Sequence, residues 1–421
     1  MQGHGDFAQT CGGPLMTEQV DTLIIGGGQA GLAMCAHLRE RGLPHLVIER
    51  HRIAERWRSE RWDSLVANGP AWHDRFPALE FDDIDPDSFA PRDRIVRYFE
   101  TFAAQIDAPV RAGVEVTELV QAGAGFRATT PGGVIEAAQV VVATGPFQKP
   151  VMPGLVPPEA GLTQMHSNAY RNPGQLPDGA VLVVGAGSSG VQIADELQRS
   201  GRQVYLSVGP HDRPPRAYRG RDFVWWLGVL GLWDAKARAP GMEHVTIAVS
   251  GARGGHTVDF RDLAASGITL LGRANSYAGG VMGFQPDLAH NIAFGDANYL
   301  SVLDTADAYA AKAGLDLPLD PEARRFGPNP DCVTNPVLEL DLAGAGVTSI
   351  IWATGFVVDY GWLKVDTFDD KGRPRHDRGV AAVPGLYFLG LPWLSRRASP
   401  FIWGAWHDAA YLAGHIAGQK G

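Results

Sequence analysis

Apolar residues along the chain come in two arrangements, short unbroken runs and runs at helical spacing. They first alternate cleanly between Val20 and Glu49. Thr22 to Ile25 is an apolar run of strand length, and Gly26, Gly28 and Gly31 follow at GxGxxG spacing. An Ala/Leu-rich stretch then ends at Gly42, and a second apolar run leads to Glu49. This order predicts strand, tight turn, helix and strand. The glycines fit one purpose. The first permits the turn, the second lets backbone approach a pyrophosphate, and the third lets helix and strand pack closely. Phosphates would sit on the free N–H groups of the helix N-terminus, beside Gln29 and Ala30. Glu49, 18 residues past Gly31, can accept from a ribose 2′,3′-diol. A 2′-phosphate there would meet a like charge, costing on the order of 4 kcal/mol at 4 Å in a semi-polar site. The first site therefore takes FAD or NAD, with Arg50 and Trp57 just beyond the acid as further cofactor contacts.

The pattern then breaks into an aromatic- and arginine-rich stretch containing Asn68-Gly69-Pro70, read as a long loop with one or two short helices over the first nucleotide. Helical spacing returns over Arg92 to Ile106. Strands are predicted over Val114 to Val120, Phe126 to Thr129 and Val134 to Val142, the last ending in Ala143-Thr144-Gly145. After a Pro/Gly-rich linker, Pro146 to Pro158, the opening pattern repeats. Ala180 to Val184 is a strand, Gly185, Gly187 and Gly190 restore GxGxxG around Ser188 and Ser189, and Val191 to Arg199 is a helix. Val204 to Val208 is the second strand. No acid follows it. Ser207 and Gly209 stand there instead, with His211, Arg213, Arg216 and Arg219 just beyond. Guanidinium groups without a competing carboxylate suit a 2′-phosphate, so the second site is expected to prefer NADPH, with NADH as the alternative.

Residues 222–300 fit neither repeat and read as a Trp-rich insertion, either a satellite core or dimer face or a hydrophobic lid over a substrate entrance. Thr305 to Gly314 is predicted helical and Asp316 to Pro336 is a Pro-rich connection. Ser349 to Trp352 reads as a return to the first domain, ending in a second Ala353-Thr354-Gly355 at the cofactor. Gly385 to Gly390 is a further strand. A last helix, from about Ile402 to Ala417, would aim its positive end at an anionic flavin edge. The fold expected is α/β with two Rossmann-like, three-layer dinucleotide-binding domains, the NADPH domain inserted in the FAD domain. The boundaries are 17–150 and 340–421 for FAD and 151–339 for NADPH.

Composition narrows the function. With 421 residues, 45% hydrophobic, 20% charged and a net charge of −9, the chain suits a globular enzyme and disfavours nucleic acid or an anionic membrane as partner. No apolar run approaches the ~20 residues of a membrane span. Three scattered cysteines, Cys11, Cys35 and Cys332, offer neither a disulfide framework nor a metal cage, and cytoplasmic residence follows. Residues 1–16 lack an apolar signal core and read as a disordered extension.

Taken together, the two GxGxxG units, the two Ala-Thr-Gly strand ends and Gly385-Leu386-Tyr387-Phe388-Leu389-Gly390 resemble the flavin-containing monooxygenases, class B flavoprotein monooxygenases. Within that group the chain is similar to bacterial flavoproteins labelled potassium-transport-associated and, more distantly, to plant YUCCA enzymes. The resemblance spans 17–421. Asn68-Gly69-Pro70, His166-Ser167 with Tyr170-Arg171-Asn172-Pro173, and Ala353-Thr354-Gly355-Phe356 carry it locally. Ala160 and Leu162 stand where the family pattern has Phe and Gly. The resemblance implies that NADPH reduces FAD, and that O2 adds at flavin C4a to form a (hydro)peroxide. One oxygen then passes to N, S or C of a small hydrophobic or aromatic substrate. Asn68 is the candidate catalytic amide, and His166 and Tyr170 are hinge residues. No metal is expected, and a homodimer is the base-rate expectation. A flavin-linked NAD(P)H oxidase or reductase, or a non-enzymatic nucleotide-binding regulator of transport, remains as an alternative. A disulfide reductase would need a redox cysteine pair that the sequence lacks.

Overall fold

The computed structural model describes residues 17–236 and 246–419; the extension read at 1–16 lies outside them. The first unit opens with β1 (Thr17–Ile25), α1 (Gln29–Glu40) and β2 (His45–Glu49). The strands run parallel with Ile25 opposite Ile48. Leu23, Ile24 and Val47 are fully buried, as unbroken apolar runs in a parallel sheet require. The long loop holds one short helix, α2 (Glu55–Ser59). Then α3 (Arg92–Gln105) buries Ile95, Val96, Phe99 and Phe102, the positions its spacing picks out. Strand β3 (Val110–Ala112) joins β2, and β4 (Glu118–Ala122), β5 (Gly125–Thr130) and β6 (Gly133–Val142) form an antiparallel meander. β6 also runs parallel to β1, with Val142 opposite Ile25. Its end, at Ala143, is thereby delivered to the glycine turn.

The chain crosses over through β7 (Lys149–Pro150) and β8 (Thr163–His166) into β9 (Ala180–Val184), α4 (Ser188–Arg199) and β10 (Val204–Ser207). A small hairpin, β11 (Ala217–Tyr218) and β12 (Arg221–Asp222), leads to α5 (Phe223–Val229) and α6 (Phe260–Ala265). Next come β13 (Thr269–Leu271), β14 (Ala274–Ala278), β15 (Val281–Phe284), α7 (Leu288–Ala313), α8 (Asp331–Thr334), β16 (Glu339–Asp341) and β17 (Val347–Trp352). The second sheet is parallel, in the order β13-β10-β9-β17-β8, with the antiparallel β14-β15-β16 beside it.

Three readings are corrected here. The stretch 222–300 is not foreign to the repeat, because β13 is an edge strand of the second sheet, next to β10, and β14 and β15 are two strands of the antiparallel group beside it. The helix expected from Thr305 is the end of α7, which runs for 26 residues. The boundary at 339/340 also moves. β17 lies between β9 and β8, with Trp352 opposite both Val184 and His166, so the inserted unit extends to its end. Trp352 is fully buried there.

The return to the first unit uses β18 (Phe356–Val357), antiparallel to β7, so two adjacent strands form the connection. β19 (Leu363–Lys364) pairs with β4; β20 (His376–Asp377) and β21 (Val380–Ala381) lead to β22 (Leu386–Phe388), parallel to β6. Finally α9 (Ile402–Gly418) packs against α1. One hydrophobic core runs from Leu23 to Ile416 in the first unit, while the second has a core on each sheet face. Trp226 is fully buried in a satellite core under α7, the packing outcome for that Trp.

Candidate dinucleotide sites and the cleft between them

The two glycine turns are built alike. A Cβ on Gly26, at φ +116°, would lie 2.5 Å from the Ala143 carbonyl, and one on Gly31 would lie 1.9 Å from the Gly26 carbonyl. In the second unit Gly185, at φ +106°, meets the Ala353 carbonyl at 2.5 Å and Gly190 meets the Gly185 carbonyl at 1.8 Å. The first and third glycines thus fill contacts that no side chain can. Gly28 differs, because nothing lies within 4 Å of its missing Cβ. Neither Gly28 nor Gly187 caps its helix with a side chain; the first-turn N–H groups of α1 face the opening at Gly28, whereas at α4 the Ser188 N–H donates to the Ile247 carbonyl at 2.8 Å and Thr246 lies 3.3 Å from a Cβ on Gly187. Glu49 accepts from the Gly27 N–H at 2.7 Å and the His51 N–H at 2.9 Å. The carboxylate is thus held against the first turn. Backbone N–H groups over an opening, with an anchored acid beside them, fit an adenine dinucleotide at the first turn. The second turn repeats the glycine geometry without the acid, with the Ile247 carbonyl on its first N–H.

Ala143-Thr144-Gly145 closes the first turn. Thr144 accepts from Gln148 Nε2 at 2.9 Å and Gly145 has φ +70°. The second Ala-Thr-Gly, read as a first-domain element, closes the second turn instead: Ala353 N–H donates to the Val184 carbonyl and Thr354 to the Val151 carbonyl. Gln29 Nε2 donates to the Pro400 carbonyl at 2.6 Å, and a Cβ on Gly390 would touch that of Ala30. The N-terminus of α9 therefore lies at the first turn. Arg50 is exposed at the same edge, and Trp57 is half-buried between the cores of the two units.

The basic loop after β10 is a second correction of site residues. In register, Ile25 opposes Ile48 in the first unit and Val184 opposes Ser207 in the second, so the counterpart of Glu49 is the buried Val208. His211 is 2% exposed, donates Nδ1–H to the Gly209 carbonyl, and is held neutral by burial. Arg213 is 1% exposed, bonded to Asp296 at 2.6 Å and the Val258 carbonyl, and lies over the rings of Tyr299 and Phe326. Arg216 pairs with Asp222 and bonds the Asn68 carbonyl, both at 2.6 Å. Arg219 is taken up by Asp307 and the Leu317 carbonyl. These groups are committed to internal partners, so none stands free for a 2′-phosphate. Sequence reasoning missed Arg273. It follows β13, its stem lies 3.3 Å from a Cβ on Gly209, and it reaches Asp287 with a side chain 59% exposed. Only the parallel pairing of β13 with β10 brings it to that edge.

Asn68 stands between the units. It is exposed, its Oδ1 accepts from Gln192 Nε2 of α4 at 2.9 Å, and Arg216 holds its carbonyl. The next residue is fixed as well, because Asp74 accepts the Gly69 N–H at 2.9 Å. His73 bonds Asp74 at 2.8 Å and stacks on Trp233 at 4.8 Å, with Phe401 against the same Trp233. Trp72 and Trp403 adjoin this cluster, which joins both units. The hinge residues are likewise built in. His166, kept neutral by burial, donates Nε2–H to the Gly355 carbonyl at 2.9 Å, and Tyr170 donates to Glu196 of α4 at 2.7 Å. Asp63 N–H donates to the Arg171 carbonyl at 2.8 Å, so this segment stitches the post-Glu49 loop to the second unit. Among the described residues no group of His, Cys, Asp or Glu could hold a metal ion and no helix is long and apolar enough to cross a membrane. Cys35 is buried in the first core with its thiol pushed up to about 12, and neither it nor Cys332 is in a disulfide.

A family profile described as pyridine nucleotide-disulphide oxidoreductase matches residues 23–219. An oxidoreductase called CzcO-like from Geobacillus kaustophilus is 33% identical over 406 residues, 95% of this chain and 99% of that protein. Rice (Oryza sativa) indole-3-pyruvate monooxygenase YUCCA1 is 35% identical over 192 residues, 44% of this chain and 47% of its own length. Among solved structures, a flavin-containing monooxygenase from Stenotrophomonas maltophilia superposes with TM-score 0.66 at 19% identity. That superposition covers 96% of this chain and 100% of the other, a likeness of fold. The paired glycine turns, the inserted second sheet and the full-length similarity agree: the chain belongs to the CzcO-like oxidoreductases.

Proposed function

We propose that the protein is an FAD-dependent, NADPH-consuming monooxygenase that places one oxygen atom of O2 on N, S or C of a small hydrophobic or aromatic substrate. When bound, FAD supplies electron transfer from NADPH and the activation of O2. The chain contributes binding, orientation and exclusion of water. Gly26, Gly28, Gly31 and Glu49 would hold the FAD adenosine diphosphate, Gly185, Gly187 and Gly190 that of NADPH, and the two Ala-Thr-Gly ends would line one nucleotide each. Arg273, mostly exposed although paired with Asp287, lies beside a strand end that lacks a counterpart of Glu49 and supports NADPH over NADH.

The observation that carries the reading is Asn68, an exposed amide gripped by α4 and Arg216 of the second unit yet borne on the loop over the first. That position between the two units supports a role for its amide beside the proposed nucleotides. The Trp72, His73, Trp233 and Trp403 cluster beside it supports an aromatic or hydrophobic substrate. Cytoplasmic residence, with Cys35 and Cys332 outside any disulfide, and a homodimer belong to the same proposal. Asn68→Asp should keep bound FAD while diverting NADPH electrons from product to hydrogen peroxide. Unchanged coupling in that variant would refute the role. A flavin-linked oxidase without oxygenation is the second reading; it predicts that wild-type protein already sends all its electrons to peroxide.

A further inference from the structure

Gln192 lies on α4, two residues past Gly190, and is 8% exposed. Its Nε2 makes two hydrogen bonds, to the Val249 carbonyl at 2.8 Å and to Asn68 Oδ1 at 2.9 Å. A carbonyl only accepts, so the Gln192 atom on Val249 must be the amine. Its second hydrogen then requires an oxygen on Asn68. The Asn68 amide is thereby fixed with its NH2 group directed away from α4. Two further contacts lock this arrangement. Ser188, at the start of α4, donates to the Ile247 carbonyl from both its backbone N–H and its hydroxyl, each at 2.8 Å. That ties the segment carrying Val249 to the turn over which the second nucleotide would lie. Gly251, on the same segment, comes so close to the first unit that a Cβ would sit 2.1 Å from the Ala67 carbonyl. Ser188, Ile247 to Val249, Gln192 and Asn68 form one continuous hydrogen-bonded chain from the second glycine turn to the candidate catalytic amide.

We propose that Gln192 is a positioning residue that fixes Asn68 as a hydrogen-bond donor toward the flavin edge and makes that orientation depend on the second nucleotide site. The proposal rests on the monooxygenase reading above. Gln192→Leu removes the grip. Gln192→Glu offers only acceptors to Asn68, so the amide turns over and presents its oxygen to the cleft, while the carboxylate faces the Val249 carbonyl without a proton to share.

The test uses purified holoenzyme. In Gln192→Leu and Gln192→Glu, the share of NADPH electrons released as hydrogen peroxide should rise about five-fold, the scale of one lost hydrogen bond, and by more than any change in KM for NADPH. The same increase should appear in Asn68→Asp, and the double variant Gln192→Leu/Asn68→Asp should be no worse than either alone. A peroxide share unchanged in Gln192→Leu, or a purely additive double variant, overturns the proposal. A second arm needs no turnover. Adding NADP+ to oxidised holoenzyme should perturb the flavin absorption band in wild type, and this perturbation should be lost in Gln192→Leu and in Asn68→Asp. Its retention in both variants also overturns the proposal. If wild type forms no oxygenated product, the monooxygenase reading fails on its own, and this spectral arm still decides whether Gln192 connects the two sites.

Discussion

Arg213 and Arg273 carry the same charge and do opposite things. Arg213 is buried, has Asp296 and the Val258 carbonyl on its guanidinium and two aromatic rings against its faces. Removing Arg213 takes from Asp296 one of its two guanidinium partners, Arg261 at 2.7 Å being the other, and empties the space between two rings, a loss of about 2–3 kcal/mol. Arg213→Ala should therefore lower the thermal midpoint of unfolding by several degrees and alter nucleotide preference only through that instability. Arg273, mostly exposed and held by Asp287 at 2.7 Å, contributes little to stability. Arg273→Ala should leave the midpoint unchanged and narrow the ratio of kcat/KM for NADPH to that for NADH by about ten-fold, the scale of one lost phosphate–guanidinium contact. Steady-state kinetics with both nucleotides, beside thermal melts of the two variants, separates the roles; a preference unchanged in Arg273→Ala would remove it from the 2′-phosphate site. In sequence the two residues could not be ranked. Arg213 stands nearer to the strand end, and only the fold shows that α7 supplies a carboxylate to it.

The elements divide into those whose partners are local and those whose partners are remote. The strand–turn–helix units were legible because the third glycine of each motif encodes a contact inside its own unit, Gly31 on Gly26 and Gly190 on Gly185. α3 was legible because its buried face repeats at helical spacing. By contrast β13 has three residues and too little pattern to be assigned to a sheet. The ownership of β17 is decided by parallel pairing with β8 and β9, more than 160 residues earlier, and an apolar run alone names no neighbour. The same holds for the site. Gly26, Gly28, Gly31 and Glu49 follow from spacing, whereas the grip of Gln192 on Asn68 crosses 124 positions. Helix–strand packing gives a paired prediction. Gly31→Ala would force α1 away from the Gly26 carbonyl and Gly190→Ala would do so for α4 at Gly185. Purified Gly31→Ala should contain less than about a tenth of the wild-type flavin, since a displaced turn loses several phosphate contacts. Gly190→Ala should remain yellow but be reduced slowly by NADPH. Loss of flavin from both variants, with the fold intact by circular dichroism, would contradict the assignment of one nucleotide to each unit.

For the whole molecule, the two units are joined by β7 and β18, by His166 on the Gly355 carbonyl, and by the Asn68, Gln192 and Arg216 contacts across the cleft. On the proposed function, an insertion held at these points would keep the second nucleotide near the first, as hydride delivery to a flavin would need. Trp72, Trp233 and Trp403 pack in one cluster, which on the same proposal would give an organic substrate an apolar environment from which water is displaced. The account stands or falls on the fate of oxygen. Holoenzyme supplied with NADPH, 18O2 and a panel of aromatic and heteroatom-bearing substrates should give, for at least one of them, a product carrying one 18O atom per NADPH consumed. A panel in which flavin is reduced and reoxidised but every electron pair emerges as hydrogen peroxide, with no labelled organic product, would contradict it.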